Sequence, residues 1–270
     1  MSISIIVVLQ GGLGNQLFQY TAGLTIASCE GGQLWLNPAE QNKHSGKDYR
    51  LTLYKKGNAV GIHGTPTENH VYYQQADAFD SWKISDYKNH ASIIIKGYYQ
   101  YLPAIEKYVD IICNDILENL SKLRYELQQK YKISNMNDCY FIHIRRGDYL
   151  TQPPNTLFVQ DNEYYNLALT HINKSNDKKK RWFVLSDDIE WCRQQEWLQG
   201  EDFEIVNEPD ELYGLMLMSL CHGGAIIANS TYSWWGAMLG SGKNSSYVYY
   251  PSKWCGDKNP NLFPFKWNRI

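Results

Sequence analysis

The stretch CYFIHIRRGDYL, residues 139–150, runs from apolar side chains directly into two arginines and an acid. Apolar and β-branched residues over 139–145 predict a buried strand, and the charges that follow mark its carboxyl end. Alternation along that strand places His143 and Arg145 on one face and Arg146 on the other. We expect Arg145 to bind an anion and Arg146 to be structural, unless the strand ends before 145 and both side chains reach one site.

The second half of the chain repeats this alternation of strand and helix. Predicted strands cover 182–186, 203–206, 224–228 and 247–250, and predicted helices cover 161–173, 188–198, 209–221 and 231–240. Buried strands that alternate with helices are typical of a parallel, doubly wound sheet.

The first half starts in the same way and then becomes less regular. Strands are predicted at 3–9 and 93–96, a helix at 15–29, and one or two helices over 102–131. Residues 37–92 are polar and predict loops, short helices and turns. The polar turn 134–138 predicts the boundary between an N-terminal domain, 1–135, and a C-terminal domain, 136–270. The predicted fold class is α/β, with two Rossmann-like, doubly wound domains facing a central cleft.

Composition narrows the classes of function. The 270 residues are 43% hydrophobic and carry a formal net charge of −2, which gives no basic footprint for nucleic acid. No apolar run reaches the ~18 residues of a transmembrane helix, and the N-terminus has no basic signal-peptide region. We therefore expect a cytoplasmic protein, at most peripheral to a membrane, with reduced cysteines. The sequence leaves the oligomeric state open.

The loop after the first predicted strand is rich in glycine. Gly12, Gly14 and Asn15 lie in it, and glycines let a backbone approach a ligand closely at the start of a helix. Position 17 is Leu, so the loop is not the dinucleotide fingerprint, and no GK[ST] follows to make a P-loop. The alternative is a tight turn in which Asn15 caps the helix.

Two later strand ends carry acids and hydroxyls. Ser186, Asp187 and Asp188 follow the strand at 182–186; they could accept hydrogen bonds from a ribose or a guanine. The alternative is a helix N-cap formed by Ser186 and Asp187, with Asp188 favourable to the helix dipole. Asn229, Ser230 and Thr231 open a helix, where hydroxyls and free N–H groups form a phosphate cradle or, alternatively, a cap.

Together, these strand ends predict a nucleoside diphosphate as the ligand. The chain contains no Asp-x-Asp, no HExxH and no His/Cys cluster, so we expect neither a metal nor a cofactor. Arginine and helix dipoles would then neutralise the pyrophosphate. Residues 146–148 also spell RGD, but an adhesion motif requires an exported protein with the tripeptide on an exposed loop, and here it directly follows a buried-strand pattern.

Five segments resemble the bacterial α-1,2-fucosyltransferases of glycosyltransferase family 11. They are GGLGNQLFQY (11–20), HIRRGDY (143–149), LSDDIEWC (185–192), ANSTYSWWGAMLG (228–240) and YPSKW (250–254), in the expected order. The resemblance implies the GT-B architecture and inverting, metal-independent transfer of L-fucose from GDP-β-L-fucose to the 2-hydroxyl of a galactose. It also implies a cytoplasmic enzyme that decorates lipid-linked O-antigen units.

The same resemblance implies roles for individual residues. Arg145, with Arg146 beside it, would bind the β-phosphate of the departing GDP, while His143 and Asp148 shape that site. Further donor contacts would come from Ser230 and Thr231 to the diphosphate, from Asp187 or Asp188 to the guanosine, and from Asn15 with its glycine loop.

Some choices stay open. Asp148 and His143 are both candidates for the base that activates the acceptor hydroxyl, and a strong base is unnecessary if GDP departs first. GDP-mannose or GDP-colitose would use the same phosphate contacts as GDP-fucose. The acceptor is expected to bind the region 37–92, where Asp77 and Asp80 are candidates, and the loop 150–160.

Overall fold

Two parallel β-sheets with helices packed on them form the two units of the chain. A computed structural model describes residues 3–37, 60–61, 71–76, 92–153, 156–175, 179–208, 210–256 and 261–270. One unit comprises Met1–Asn119 with Pro260–Leu262, and the other comprises Leu120–Asn259 with Phe263–Ile270. No helix in these described ranges combines the length and the apolar character needed to cross a membrane.

The first unit is built on a five-stranded sheet. Its strands are β1 (Ser4–Val8), β2 (Gln33–Asn37), β3 (Val60–Gly61), β4 (Val71–Ala76) and β5 (Ser92–Gly97), and its helices are α1 (Leu13–Glu30) and α2 (Leu102–Asn119). The spatial order is β3-β2-β1-β5-β4, and every described pairing is parallel. Strands β1 and β5 are adjacent although β2, β3 and β4 lie between them in the chain, so the loops that follow β1 and β5 meet at the carboxyl edge of the sheet.

The second unit is built on a six-stranded sheet. Its strands are β6 (Cys139–Ile144), β7 (Arg181–Ser186), β8 (Phe203–Ile205), β9 (Gly224–Ile226), β10 (Val248–Tyr250) and β11 (Asn268–Arg269). Its helices are α3 (Ser121–Lys130), α4 (Asn162–Ser175), α5 (Ile189–Arg193), α6 (Glu211–Met218) and α7 (Thr231–Gly240), with 3₁₀ turns at Met136–Asp138, Gly147–Thr151 and Glu196–Leu198. The order is β11-β10-β9-β6-β7-β8, again parallel, and it reverses between β9 and β6.

The structure confirms the predicted α/β class, but four short strands were not predicted. These are β2, β3, β4 and β11. The prediction of only loops, short helices and turns over 37–92 was therefore wrong where β3 and β4 lie, and most of the remaining residues in that region are outside the described ranges. The sequence of β4, VYYQQA, is too polar at its end to give a strand period.

The division of the chain also falls earlier than the predicted boundary at 135. Helix α3 belongs to the second unit because it packs on α6. The Arg124 side chain on α3 donates hydrogen bonds to both the hydroxyl and the carbonyl of Ser219, which follows α6. The chain therefore changes unit at the break between α2 and α3, not at the polar turn that follows α3.

A buried glutamine on α1 holds the glycine loop in the first unit. The side chain of Gln19 accepts a hydrogen bond from the Gln10 N–H at 3.0 Å and donates to the Gln10 carbonyl at 3.2 Å. It also donates to the Gly97 carbonyl at the end of β5, at 3.0 Å. One amide thus ties the ends of the adjacent strands β1 and β5 together.

Replacing Gln19 with Leu should loosen this loop. The substitution removes three hydrogen bonds and leaves backbone groups of Gln10 and Gly97 without partners, a loss of about 2–4 kcal/mol. Urea unfolding followed by tryptophan fluorescence measures the change. Gln129→Leu on the exposed face of α3 is the matched control, and an equal effect from both variants would contradict this role for Gln19.

Candidate active site

Three neighbouring strands bring the predicted site residues of the second unit to one edge. Strand β6 lies between β7 and β9, with Ile144 in register with Ser186 and Ile142 with Ile226. All three strands are parallel, so the loops that follow them meet at the carboxyl edge of the sheet. The residues expected to bind a diphosphate therefore converge where the strand order reverses.

The two arginines lie beyond the strand, because β6 ends at Ile144. Arg146 is the enclosed one: its side chain is 17% exposed, its Nε donates to Asp188 Oδ2 at 3.0 Å, and its guanidinium lies 4.2 Å from the ring centre of Trp191. The Arg145 side chain is 33% exposed and forms ion pairs with Asp148 and Asp187. Arg145 is thus the more exposed of the two arginines, although strand alternation is not the reason.

The carboxylate of Asp187 joins the loops after β6 and β7. Its Oδ1 accepts from the backbone N–H of Arg146 at 2.8 Å, and its Oδ2 lies 3.1 Å from Arg145 Nη1. A Cβ atom on Gly147 would overlap Oδ2 of the same carboxylate. The Asp187 carboxylate lies so close to Gly147 that a side chain at position 147 would displace it. The neighbouring Arg146 packs against Asp188 and Trp191, whereas an adhesion motif requires an exposed loop.

Asp188 and Ser186 have structural partners. Asp188 is the N-cap of α5, and its Oδ1 accepts from the Trp191 N–H at 3.1 Å. Ser186 Oγ accepts from the Asp188 N–H at 3.0 Å. The expected cap formed by Ser186 and Asp187 was thus wrong, because α5 begins one residue later than that cap requires. A contact of Asp187 or Asp188 with the guanosine stays a prediction.

His143 is buried and neutral. Burial, with a smaller contribution from the positive charge of Arg145, lowers the pKa of His143 to about 3. Its Nδ1 has no hydrogen-bond partner in the described part of the chain. Its ring packs 5.5 Å from the ring of Tyr232, whose hydroxyl donates to the Glu211 carbonyl. His143 therefore shapes the site at neutral pH without adding positive charge to it.

Asn229 is buried and lies in the loop that follows β9. Its Nδ2 donates to the Trp254 carbonyl at 2.9 Å, and its Oδ1 accepts from Gln160 Nε2 at 3.1 Å. The Tyr149 hydroxyl donates to the Asn229 carbonyl at 3.0 Å. Both ends of the side chain are occupied by protein groups. Sequence reasoning missed Tyr149, Gln160 and Trp254 as supports, although Tyr149 and Trp254 lie in two of the motifs quoted above.

The start of α7 is suited to an anion. Ser230 is its N-cap, and within the described chain the Ser230 side chain makes no capping hydrogen bond. Ser230 and Thr231 are half-buried. The first backbone N–H groups of a helix have no acceptor inside the helix, and the helix dipole favours negative charge there. Binding of a phosphate by Ser230 and Thr231 stays a prediction.

The glycine loop lies in the first unit and follows β1. Helix α1 begins at Leu13, so Gly12 is its N-cap and Asn15 is in the first turn; the expected cap by Asn15 was wrong. A Cβ on Gly12 would meet no described atom within 4 Å, whereas Gly14 is buried in the helix. Asn15 Oδ1 accepts from Gln100 Nε2 at 2.9 Å. Of Gly12, Gly14 and Asn15, Gly12 is thus the residue with free space beside its backbone.

Among the described residues, no group of three or more His, Cys, Asp and Glu side chains has the arrangement of a metal site. The candidate site instead consists of two guanidinium groups, three carboxylates, a neutral imidazole and a helix N-terminus. Such a set can bind a phosphate through arginine and backbone donors.

Comparison with known proteins gives one family and one fold. The model of the family "Glycosyl transferase family 11" matches residues 4–259. The chain is 28% identical to the O-antigen biosynthesis glycosyltransferase WbnK of Escherichia coli, over 93% of the chain and 95% of the relative. It is 25% identical to an alpha-1,2-colitosyltransferase of Escherichia coli, over 99% of both. The fold is similar to that of fucosyltransferase NodZ from Bradyrhizobium, with a TM-score of 0.56, 11% identity and coverage of 89% and 94%. This likeness confirms the GT-B-like fold class.

Gly147→Ala tests the packing of Asp187. The added methyl group must displace the Asp187 carboxylate, which breaks its bonds to Arg145 and Arg146, so the melting temperature should fall by several degrees, equivalent to about 1–3 kcal/mol. Differential scanning calorimetry measures the shift. Gly200→Ala, where the Cβ would make only ordinary contacts, is the control, and equal melting temperatures for the two variants would refute the close-packing argument.

The buried imidazole predicts a pH dependence of stability. The pKa of His143 is lowered in the folded state, so only the unfolded chain takes up this proton between about pH 6.5 and pH 3. The stability of the wild type relative to His143→Gln should be constant above pH 6.5 and should fall by about 1.4 kcal/mol per pH unit below it. Urea titrations at several pH values measure this difference, and a flat difference would contradict the neutral, buried histidine.

Proposed function

Because the chain belongs to glycosyl transferase family 11, we propose that it is a galactoside α-1,2-fucosyltransferase. The proposed donor is GDP-β-L-fucose, and the acceptor is the 2-hydroxyl of a terminal galactose on an O-antigen-type glycan. The reaction inverts the anomeric carbon and requires neither a metal nor a cofactor. The O-antigen relative supports this class of acceptor, and NodZ, whose crystals were soaked with GDP-fucose, supports this class of donor.

One observation carries the proposal: the two adjacent arginines have different surroundings. Arg146 is fixed between Asp188 and Trp191, while Arg145 is more exposed at the reversal of strand order, the edge that also carries the start of α7. Departure of GDP builds negative charge on the β-phosphate. A guanidinium already positioned there stabilises the transition state more than the ground state, and an arginine can do so with two parallel hydrogen bonds.

A diphosphate that binds Arg145 must compete with the carboxylates already paired with this guanidinium. The two arginines and their ion-pair partners comprise two guanidinium groups and three carboxylates, one negative charge more than positive. The side chain of Asp148 is 56% exposed, that of Asp187 only 25%. We propose that the diphosphate displaces Asp148 from Arg145 while Asp187 keeps the guanidinium in place. Asp148 is then the better candidate for the acceptor base, because the lowered pKa of His143 makes its imidazole a weak one.

A second donor has specific support. The alpha-1,2-colitosyltransferase aligns with the whole chain, and colitose is a deoxy relative of fucose. GDP-colitose and GDP-mannose carry the same diphosphate as GDP-fucose, so the residues around Arg145 do not discriminate among them. The sugar pocket and the acceptor contacts expected in 37–92, including Asp77 and Asp80, lie largely outside the described residues. Lipid-linked acceptors would place the enzyme in the cytoplasm, at most peripherally attached to the membrane.

A direct assay tests the proposal. The purified chain is incubated with GDP-fucose, GDP-colitose or GDP-mannose, with and without EDTA, in the presence of lactose or Gal-β1,3-GalNAc. We expect a 2-linked fucosyl product, identified by NMR, at the same rate in EDTA. Exclusive use of GDP-colitose would establish the alternative donor. No transfer from any donor, together with no GDP-induced rise in melting temperature, would reject the transferase assignment.

Substitution of the two arginines should have unequal effects. Arg145→Ala should lower kcat by roughly 10²- to 10³-fold, and Arg145→Lys should also be poor because an ammonium cannot form the two parallel bonds. Arg146→Lys should mainly lower the melting temperature, because it loses the contact with Trp191 and the Nε bond to Asp188. Steady-state kinetics and thermal unfolding separate these effects.

Arg193→Lys is the control for these exchanges, because Arg193 is an exposed arginine paired with Glu190 on α5. Its kcat and melting temperature should match the wild type. Near-normal turnover of Arg145→Lys would contradict the bidentate contact with the phosphate.

A further inference from the structure

An open surface cavity, which none of the arginines lines, lies on the second unit. It has a volume of about 670 Å³ and is lined by Asn162, Asn166, Gln194, Gln195, Glu196 and Trp197. The first two residues are on α4, and the others follow or end α5. Four carboxamides, one carboxylate and one indole line it, without lysine, arginine or an aliphatic side chain.

The floor of this cavity is held rigidly. The Trp197 ring stacks on the ring of Tyr165, with centroids 5.6 Å apart and planes 15° apart, and Tyr165 is fully buried. Asn162 Nδ2 donates to Gln195 Oε1 at 3.1 Å, and Gln195 Nε2 donates to the Trp191 carbonyl at 3.0 Å. One aromatic ring and one pair of amides are therefore already positioned before any ligand binds, which lowers the entropic cost of binding.

Other polar groups in the cavity are available to a ligand. The side-chain amides of Asn166 and Gln194 are exposed and have no hydrogen-bond partner among the described residues. The Trp197 Nε1–H is buried and lacks an acceptor in the described part of the chain, so the indole offers a ligand only the exposed part of its ring. An amide donates and accepts at the same time, which suits the adjacent hydroxyls of a sugar, and an indole packs against the apolar face of a sugar ring.

The lining argues against other classes of ligand. A phosphate or another anion would meet the Glu196 carboxylate with no described cation in the lining to offset it. An apolar ligand would leave the exposed amides of Asn166 and Gln194 without water or partners. The volume is in the range of small-molecule sites and is suited to a short oligosaccharide.

We propose that this cavity is a second carbohydrate site, which binds a neutral oligosaccharide through Trp197, Asn166 and Gln194. Its ligand is the part of the acceptor glycan beyond the reacting sugar, and this identification rests on the proposed function. Contacts through Trp191 connect it to the active-site edge, because Trp191 lies under the guanidinium of Arg146 and its carbonyl accepts from Gln195. The cavity is thus separate from the proposed donor site, but residues of both contact Trp191.

NMR of the donor-free protein tests this site. The chain is labelled with ¹⁵N at its tryptophans, and the Trp197 indole signal is assigned by its loss in Trp197→Phe, which keeps an aromatic ring on Tyr165. Gal-β1,3-GalNAc and lactose are the probes, and glycerol is the control for unspecific contact. We expect a saturable shift of this signal with a dissociation constant on the order of 1 mM.

Two exposed amides provide the matched comparison. The double variant Asn166→Ala/Gln194→Ala should weaken binding about tenfold or more, equivalent to the loss of one good hydrogen bond. It should also raise the KM for long acceptors with little change in kcat. Asn244→Ala/Gln129→Ala removes one exposed Asn and one exposed Gln of the same unit outside the cavity and should change neither.

The outcomes separate this inference from the proposed function. No saturable shift of Trp197 in a chain that transfers fucose would overturn the second site alone, as would equal binding by the two double variants. A saturable shift in a chain that transfers no sugar would support the carbohydrate site and reject only the transferase assignment.

Discussion

The geometry of the candidate active site depends on one carboxylate, that of Asp187. It accepts the backbone N–H of Arg146 and pairs with the Arg145 guanidinium, so one side chain fixes both the path of the loop after β6 and the direction of its exposed arginine. Partly buried carboxylates are stable where they are hydrogen-bonded and paired, and Asp187 has both kinds of partner. The absence of a side chain at Gly147 leaves the space that this arrangement needs.

The sequence predicts the parts of the fold that local patterns specify. Strands β6 and β7 are continuous apolar runs, and their predicted bounds differ from the observed ones by one residue. The strands β2 to β4 are short or polar, and their place in the sheet depends on pairing of β2 with β1, of β3 with β2 and of β4 with β5, which no local pattern specifies. The break between α2 and α3 is likewise decided by packing of α3 on α6.

The sequence predicted where in the fold the candidate residues lie, but it predicted less well which side chains they contact. Arg145 and Arg146 do differ as expected, but β6 ends at Ile144, and their difference comes from partners across the loops. Asp187 and Arg146 are 41 residues apart in sequence, a separation that no periodicity can bridge. Asn229, expected to contact the donor, is instead surrounded by protein partners, as is Asp188. Some residues of the motifs shared with glycosyltransferase family 11 therefore hold the loops at this edge of the sheet in place, in addition to those expected to bind the donor.

The excess of carboxylates at this edge is consistent with a transferase that must release a charged product. An edge with arginines alone would hold GDP tightly after transfer, and product release limits the turnover of many enzymes. Asp148 is three residues from Arg145 on a 3₁₀ turn and pairs with it. In the proposed reaction the same carboxylate gives up Arg145 to the diphosphate and takes it back as GDP leaves. The ion pair of Arg145 with Asp148 thus lowers the affinity for substrate and product alike, while the charge that develops in the transition state gains most from the arginine.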